Sequence, residues 1–186
     1  MFKEGNKVKK IMLSGLFTAL IIIGAFIKIP IPLVPFTLQF LFTMLAGLLL
    51  GGRLGACSVL TYIILGLIGM PIFSGGGGLG YVIKPTFGYI IGFAIGTYVT
   101  GSIANKEHKP SFKRLLIANL VGLLIVNVMG VIYFYIVSNY IIASPIGVWA
   151  VILNCSLIFL PKDIFLCIIG ALLAKRLIPI LNKLNI

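Results

Sequence analysis

The chain has 186 residues, of which 60% are hydrophobic and only 10% are charged, and its mean hydropathy is +1.20. This composition excludes an ordinary soluble domain and indicates a single membrane-embedded domain over residues 1–186. The net charge of +12 does not indicate nucleic-acid binding, because the basic residues flank the apolar segments, where they set orientation in a lipid bilayer.

Apolar segments long enough for the hydrocarbon core of a bilayer, ~17–25 residues as helix, occur about six times. We therefore predict an all-α integral membrane protein with six transmembrane helices. The second and third segments are short, which indicates tilt or partial burial in the bundle. The predicted spans cover residues 9–28, 36–51, 54–70, 85–104, 114–137 and a last stretch between 146 and 178.

The distribution of basic residues predicts that both termini are cytoplasmic. With six spans drawn from a cytoplasmic N-terminus, twelve of the 15 Lys and Arg residues fall on the cytoplasmic side. Only Lys28 and Lys84 fall on the other side, and Lys162 falls at membrane depth. This asymmetry is the positive-inside bias that fixes membrane topology.

Small residues at helical spacing mark two faces. Gly15 and Ala19 form a small-xxx-small pair in the first span, which allows a second helix to approach closely in lipid. That helix could belong to this same chain or to a separate subunit. Gly88, Gly92 and Gly96 form a stripe in the fourth span, most simply an internal packing seam.

Two loops on the outer side have unusual composition. Residues 29–39 contain three prolines within six positions, which forbid helix and favour an extended path. Residues 73–80 are rich in glycine, and glycine lets the backbone approach a ligand closely. This loop is either a lid over a binding site, with Gly76 and Gly77 as candidate substrate-binding residues, or a tight, buried turn.

Asp163 is the most informative residue. It is one of three acidic residues and lies between the apolar runs 148–160 and 164–174. A carboxylate at membrane depth costs ~2.5–3.5 kcal/mol on insertion scales, which favours a functional role. The alternative is a static salt bridge with lysine or an anion at the start of a helix.

The region around Asp163 predicts a helix start. Pro161 suits the first position of a helix, which places Asp163 in a first turn that favours an anion. We predict a last helix from near Leu160 past Ala174, with 146–159 as a separate shorter helix or re-entrant segment. A single kinked helix over 147–178 is the alternative.

Polar side chains that could converge near Asp163 suit a small, partly polar anion. Lys84 is expected to pair a ligand carboxylate, while Asp163 and an asparagine hydrogen-bond a neutral N–H/C=O group. Aromatic side chains such as Tyr89 could cover the apolar parts of the ligand, as could Phe36, Phe73 and Trp149. The polar candidates are Thr37, Gln39, Lys84, Thr86, Tyr89, Asn127, Asn154, Lys162 and Asp163.

The sequence offers no catalytic set, since no histidine, second carboxylate or nucleophile accompanies Asp163. Cys57, Cys155 and Cys167 have no paired spacing, so we expect neither a disulfide, a metal site nor a cofactor. His108 is interpreted as a solvated loop residue. We therefore expect a binding protein and no enzyme.

At these residues the chain resembles the BioY family, the biotin-specific substrate-binding membrane subunits (S-components) of energy-coupling-factor vitamin transporters. The matching stretches are PIPLVPFTLQF at 30–40, GLIGMPIFSGGGGLGYVIKPTFGYIIGF at 66–93 and FLPKDIFLCIIGALLAKRL at 159–177. The resemblance covers nearly the whole chain in order and spacing. The chain departs from the common family pattern in two stretches. Lys162 stands where glycine is common and Leu166 where lysine is common, and before the fourth span Lys84-Pro85-Thr86-Phe87-Gly88-Tyr89 replaces the frequent Gly-Pro-Thr-Gly-Gly-Tyr.

The resemblance implies a six-helix protein of the bacterial plasma membrane that captures biotin from outside with high affinity. It implies as partners a transmembrane coupling subunit and two cytosolic ATPase subunits. Gly15 and Ala19 would lie where such subunits dock. An S-component for a different small vitamin is the alternative.

Overall fold

The structure, a computed structural model, describes residues 2–29, 33–107 and 110–183. His108 and three residues of the proline-rich loop, 30–32, lie outside the described residues, so the expectations for them stay untested. The described part is mostly helical. Its α-helices are α1 (Phe2–Phe26), α2 (Gln39–Leu50), α3 (Gly52–Leu67), α4 (Phe87–Ala104), α5 (Phe112–Ile136), α6 (Val148–Ile152) and α7 (Leu160–Lys183).

Four helical segments are long and apolar enough to cross a membrane: Val8–Phe26, Phe87–Ala104, Phe112–Ile141 and Val148–Leu181. The shorter apolar helices α2 and α3 coincide with the predicted second and third spans. The prediction of a helical membrane protein is confirmed.

The proline-rich loop forms a small hairpin between α1 and α2. Strand β1 (Lys28–Ile29) pairs antiparallel with β2 (Phe36–Thr37), with Lys28 opposite Thr37. The extended path predicted for this loop is therefore present in both of its described arms. Prolines cannot supply helix hydrogen bonds, so the backbone uses strand pairing instead.

The last part of the chain combines features of both predictions. Helix α7 begins at Leu160 and continues past Ala174, with Asp163 in its first turn. It is preceded by the short helix α6 and a π-helical turn over Leu153–Leu157. The amide of Phe159 bonds to the carbonyl oxygen of Ser156 at 3.0 Å. The backbone keeps helical dihedral angles at Ile152, Leu153 and Ile158, so Val148–Leu181 is one helical stretch with an irregular turn inside it, which is closer to the kinked-helix alternative.

The glycine stripe of α4 is an internal seam, as predicted. A Cβ atom on Gly92 would lie 3.0 Å from the Cα atom of Val126 in α5. A Cβ atom on Gly96 would lie 3.1 Å from the carbonyl oxygen of Gly122, and Gly88 packs against Tyr133 of α5. Backbones that approach this closely gain dispersion contacts, which help to hold helices together in lipid.

Gly92→Leu is therefore expected to destabilise the fold. The larger side chain meets the backbone of α5, which cannot move aside as a side chain does, and such overpacking typically costs about 1–3 kcal/mol. Thermal unfolding of the purified protein in detergent measures this. Ile95→Leu, at an exposed position on the same helix, is the matched control, and equal stability of both variants would contradict the seam.

Interactions between loops distinguish the two ends of the bundle. At one end, Asn105 donates hydrogen bonds to the carbonyl oxygens of Leu48 and Gly101, at 3.3 and 2.9 Å. An ion pair between Arg114 and Glu107 lies at the same end. At the other end, the hairpin and the α3–α4 loop meet, where the Lys28 ammonium donates to the carbonyl oxygen of Ser74.

Candidate functional site

A cavity lies at the end of the bundle that carries the hairpin. Its volume is about 660 Å³, a value that includes space open to the outside. Its walls come from the hairpin, the start of α2, the α3–α4 loop, α4, α5 and the region where α7 begins. Seven of the polar residues predicted to converge line it: Thr37, Gln39, Thr86, Tyr89, Asn127, Lys162 and Asp163.

Asp163 is the only carboxylate among the lining residues. Its side chain is buried, and Oδ1 lies 2.6 Å from the Lys162 ammonium. Apart from this ion pair, Oδ1 has no hydrogen-bond partner among the described residues. Its backbone amide bonds to the carbonyl oxygen of Phe159 at 2.9 Å, so the side chain projects from the first turn of α7. That turn favours an anion because the helix dipole is positive there.

Gln39 supplies a second buried polar group to the cavity wall. It is the first residue of α2 and is buried, and its side chain approaches the Tyr62 hydroxyl, while Nε2 makes no hydrogen bond of normal geometry. In the described part of the chain, three buried polar side-chain atoms lack a hydrogen-bond partner, and two of them, on Gln39 and Asp163, line the cavity. A buried polar atom that lacks a hydrogen bond is costly, so Gln39 Nε2 and Asp163 Oδ1 are candidates for hydrogen bonds to a polar ligand.

Asn127 and Tyr89 are held rigidly in the wall. The Asn127 side-chain oxygen accepts a hydrogen bond from Ser156 at 2.7 Å, and its Nδ2 donates to the Leu123 carbonyl oxygen at 3.0 Å. The Tyr89 hydroxyl donates to the carbonyl oxygen of Cys155 at 2.5 Å. That carbonyl lies in the π-helical turn before α7, where altered backbone bonding leaves carbonyl oxygens available to side chains.

The structure does not bring Lys84 into the cavity wall, which corrects the convergence expected of it. Its ammonium donates to the carbonyl oxygen of Gly75 at 2.7 Å and lies 4.6 Å from the centre of the Tyr81 ring. Both contacts are within the α3–α4 loop. Lys84 therefore braces the rim formed by Ser74 and Tyr81, which do line the cavity.

Gly76 and Gly77 also do not line the cavity. Phe73 and Gly76 exchange backbone hydrogen bonds of 2.9 and 3.1 Å, and Gly76 has a φ of +118°, which glycine adopts without strain. The Gly78 amide bonds to the carbonyl oxygen of Gly66 at 2.7 Å. These glycines build a tight turn against the end of α3, but Gly75, Gly77 and Gly80 are exposed, so the turn is tight as in the second alternative and is not buried.

Three further expectations of convergence are corrected. Asn154 is exposed and donates to the carbonyl oxygen of Ala150 within its own helical segment, at 2.8 Å. Trp149 is 67% exposed on α6. Phe73 is buried in the core, in an edge-to-face contact with Tyr62. Neither sequence position nor residue type showed which way these side chains point.

Several residues that line the cavity were not predicted from the sequence. Ser74 and Tyr81 reach the cavity from the α3–α4 loop, and Phe93, Cys155 and Phe159 contribute apolar wall. Ser74 and Tyr81 are the polar residues nearest to the glycine run, and this proximity was the signal available. The apolar residues are not distinguishable from ordinary core by sequence.

Gly15 and Ala19 lie on an exposed face of α1. A Cβ atom on Gly15 would have no neighbour within 4 Å, and Ala19 is exposed. The adjacent face of α1 packs on α3, where Ser14 and Ser58 share a hydrogen bond of 2.9 Å and Thr18 donates to the Ser58 carbonyl oxygen. Gly15 and Ala19 therefore do not pack against another helix within the described part of this chain. This leaves the second alternative, contact with a separate subunit.

The fold is that of a helical membrane protein, with a cavity at one end of its bundle that is partly open to the outside. The BioY family matches residues 1–183, and the chain belongs to it. "Probable biotin transporter BioY" of Lysinibacillus sphaericus is 44% identical over 177 residues, which are 95% of this chain and 90% of the relative. "Biotin transporter BioY" of Thermotoga maritima is 37% identical over 173 residues, 91% of this chain and 96% of the relative.

A solved structure has the same fold. It is described as "Crystal structure at 2.1 A of the S-component for biotin from an ECF-type ABC transporter" and matches with a TM-score of 0.76 at 32% identity. The match covers 93% of this chain and 92% of that one. The family resemblance drawn from three stretches of sequence is thus confirmed.

Proposed function

We propose that this chain is the high-affinity biotin-binding membrane subunit of an energy-coupling-factor transporter and mediates biotin uptake. The observation that carries the proposal is the presence of two buried polar groups in the cavity wall: the Asp163 carboxylate, whose Oδ1 is held only by the Lys162 ion pair, and the Gln39 amide nitrogen, which makes no hydrogen bond of normal geometry. Membership of the BioY family, whose relatives carry the name biotin transporter, supports the choice of ligand.

The chemistry of biotin complements these two groups. Its cyclic urea has two N–H donors and one carbonyl acceptor, and its remaining rings and chain are mostly apolar. Asp163 can accept an N–H in a charge-assisted hydrogen bond, while Gln39 can donate to the urea oxygen. The apolar part of the ligand then lies against Phe40, Ile90 and Phe93, which line the same cavity.

Calorimetric titration of the purified chain with biotin tests this function. We expect saturable binding of one biotin per chain, because Gln39 and Asp163 line one and the same cavity. A panel of other water-soluble vitamins, titrated in the same way, is the control. Tighter binding of another vitamin would replace biotin as the ligand, and no binding across the panel would overturn the proposal.

Six spans and two cytoplasmic termini are part of the proposal. The positions of charged residues support this topology, because Arg53, Lys113 and Arg114 lie at the end of the bundle opposite the cavity. Lys28 and Lys84 lie at the cavity end. With basic residues inside, the cavity opens to the outside of the cell.

Cysteine accessibility tests this topology in a background without Cys57, Cys155 and Cys167. We expect Leu79→Cys, at a position 76% exposed at the cavity end, to react with an impermeant thiol reagent added to intact cells. Glu107→Cys should react only after the membrane is permeabilised. Reaction of Glu107→Cys from outside alone would overturn the topology.

Transport is expected to require partners of two kinds: a transmembrane coupling subunit and a pair of cytosolic ATPase subunits. The matching solved structure is of an S-component from an ECF-type ABC transporter, and this supports the same kind of assembly here. The exposed face around Gly15 and Ala19 is the proposed docking surface. Close approach of helices across small residues is a usual mode of association in lipid.

A further inference from the structure

Lys162 is the only cationic side chain among the residues that line the cavity. Its side chain is 17% exposed, although it is the third residue of a helix that begins at Leu160. Lysine carries its charge on a flexible stem, and the ammonium at this depth is retained only where partners compensate for lost hydration. The partners of Lys162 therefore define what the residue does.

Three groups surround the ammonium. Nζ lies 2.6 Å from Asp163 Oδ1 and 4.2 Å from the centre of the Phe36 ring, with the Phe159 ring at 5.5 Å. Phe36 belongs to strand β2, and its neighbours Pro35 and Thr37 line the cavity. The ammonium is thus fixed between the carboxylate at the start of α7 and the hairpin.

The lysines at the rim are engaged elsewhere. Lys28 donates to the carbonyl oxygen of Ser74, and Lys84 donates to that of Gly75. Both contacts are exposed, and neither lysine lines the cavity. The charged groups of the described wall are therefore one carboxylate and one ammonium, and their sum is zero.

We infer that Lys162 is a specificity-determining residue, which keeps the cavity wall neutral and so admits an anionic ligand. This inference rests on the proposed function, in which the ligand is biotin with its ionised carboxylate. Because the ammonium remains paired with Asp163, Lys162 acts on the ligand carboxylate through the field of the cavity and not through direct contact. Without it, the lone Asp163 charge repels an anion in surroundings that screen charge poorly.

The test compares biotin with biotin methyl ester, which is neutral, on purified wild type and Lys162→Met. We expect Lys162→Met to weaken biotin binding by roughly tenfold more than it weakens ester binding. Lys162→Arg, which retains the charge and can still lie over the Phe36 ring, should keep the wild-type ratio of the two affinities. A role in folding alone would lower both affinities together and leave their ratio unchanged.

A double variant provides an internal check. Lys162→Met combined with Asp163→Asn leaves an uncharged wall. The ratio of biotin affinity to methyl ester affinity should therefore return towards the wild-type ratio, although the affinity for each ligand falls. Lys84→Met is the matched control at the rim and should change the ratio by less than about twofold, because exposed charges are well screened. If Lys162→Met does not fold, Phe36→Leu, which loosens the ammonium, should shift the ratio in the same direction by less.

The outcomes separate this inference from the proposed function. Wild type that fails to bind biotin overturns the proposed function and with it the inference. Wild type that binds biotin, with a Lys162→Met variant that loses affinity equally for acid and ester, overturns only the inference.

Discussion

Asp163→Asn is expected to weaken biotin binding by about ten- to a hundredfold while the protein still folds. The substitution keeps the size of the side chain but removes the charge from a buried acceptor, which in the described part of the protein is held only by its ion pair with Lys162. Loss of a charge-assisted hydrogen bond typically costs about 1.5–3 kcal/mol. Calorimetric titration measures the affinity, and thermal unfolding confirms that the variant is folded.

Two comparisons make this result specific. Asn154→Ala changes an exposed side chain that lies off the cavity wall, so it should bind biotin as the wild type does. In Asp163→Asn the Lys162 ammonium loses its partner, and the neutral methyl ester should therefore lose more affinity than biotin. Unchanged biotin affinity in Asp163→Asn would leave Asp163 as an anion that stabilises the start of α7 and contacts no ligand.

Most of the helical organisation could be predicted from the sequence, because the bilayer leaves few choices to an apolar chain. A spanning segment must satisfy its backbone hydrogen bonds internally, so long apolar runs become helices. The start of α7 at Leu160 was predictable because Pro161 fits a first turn and disfavours a helix interior. The π-helical turn at Leu153–Leu157 was not, because its residues carry no signal that separates it from ordinary helix.

The sequence predicted which types of residue form the candidate site, but not which of these side chains point into the cavity. Gln39, Asn127 and Asp163 are polar residues in apolar surroundings, where burial requires partners, and this physical cost marks them in the sequence. Lys84 and Asn154 are polar too, but they lie near loops or helix ends, where a nearby backbone carbonyl can satisfy them locally. Whether such a side chain lines the cavity or bonds to a nearby backbone carbonyl depends on the conformation of the loop. Residue type alone does not determine that conformation.

The ion pair in the cavity wall is the salt bridge with lysine that the sequence left open as an alternative for Asp163, but the sequence did not show that the Phe36 ring lies beside the ammonium. Adjacent positions on a helix point about 100° apart, so Lys162 and Asp163 do not face the same way by backbone geometry. The long lysine side chain turns back to the carboxylate, because the Phe36 ring and the ion pair together compensate for its lost hydration. Only the position of the hairpin made this contact visible.

Gly15→Leu and Ala19→Leu are each expected to abolish biotin uptake and to leave biotin binding within about twofold of wild type. Both positions lie on the exposed face of α1, and a Cβ atom on Gly15 has open space around it. A leucine there disturbs no contact of the chain itself, but it holds a partner helix away from the close approach that small residues permit. Uptake of labelled biotin by cells and calorimetry on purified variants measure the two effects separately.

The control for added bulk is Val128→Phe, at a position 46% exposed on α5 and away from the face of Gly15 and Ala19. It enlarges a surface of the bundle that is not proposed to dock, so uptake should remain near the wild-type rate. Co-purification with the coupling subunit should fail for Gly15→Leu and succeed for Val128→Phe. Normal uptake and normal co-purification of Gly15→Leu would show that the coupling subunit docks elsewhere and that this face of α1 contacts only lipid.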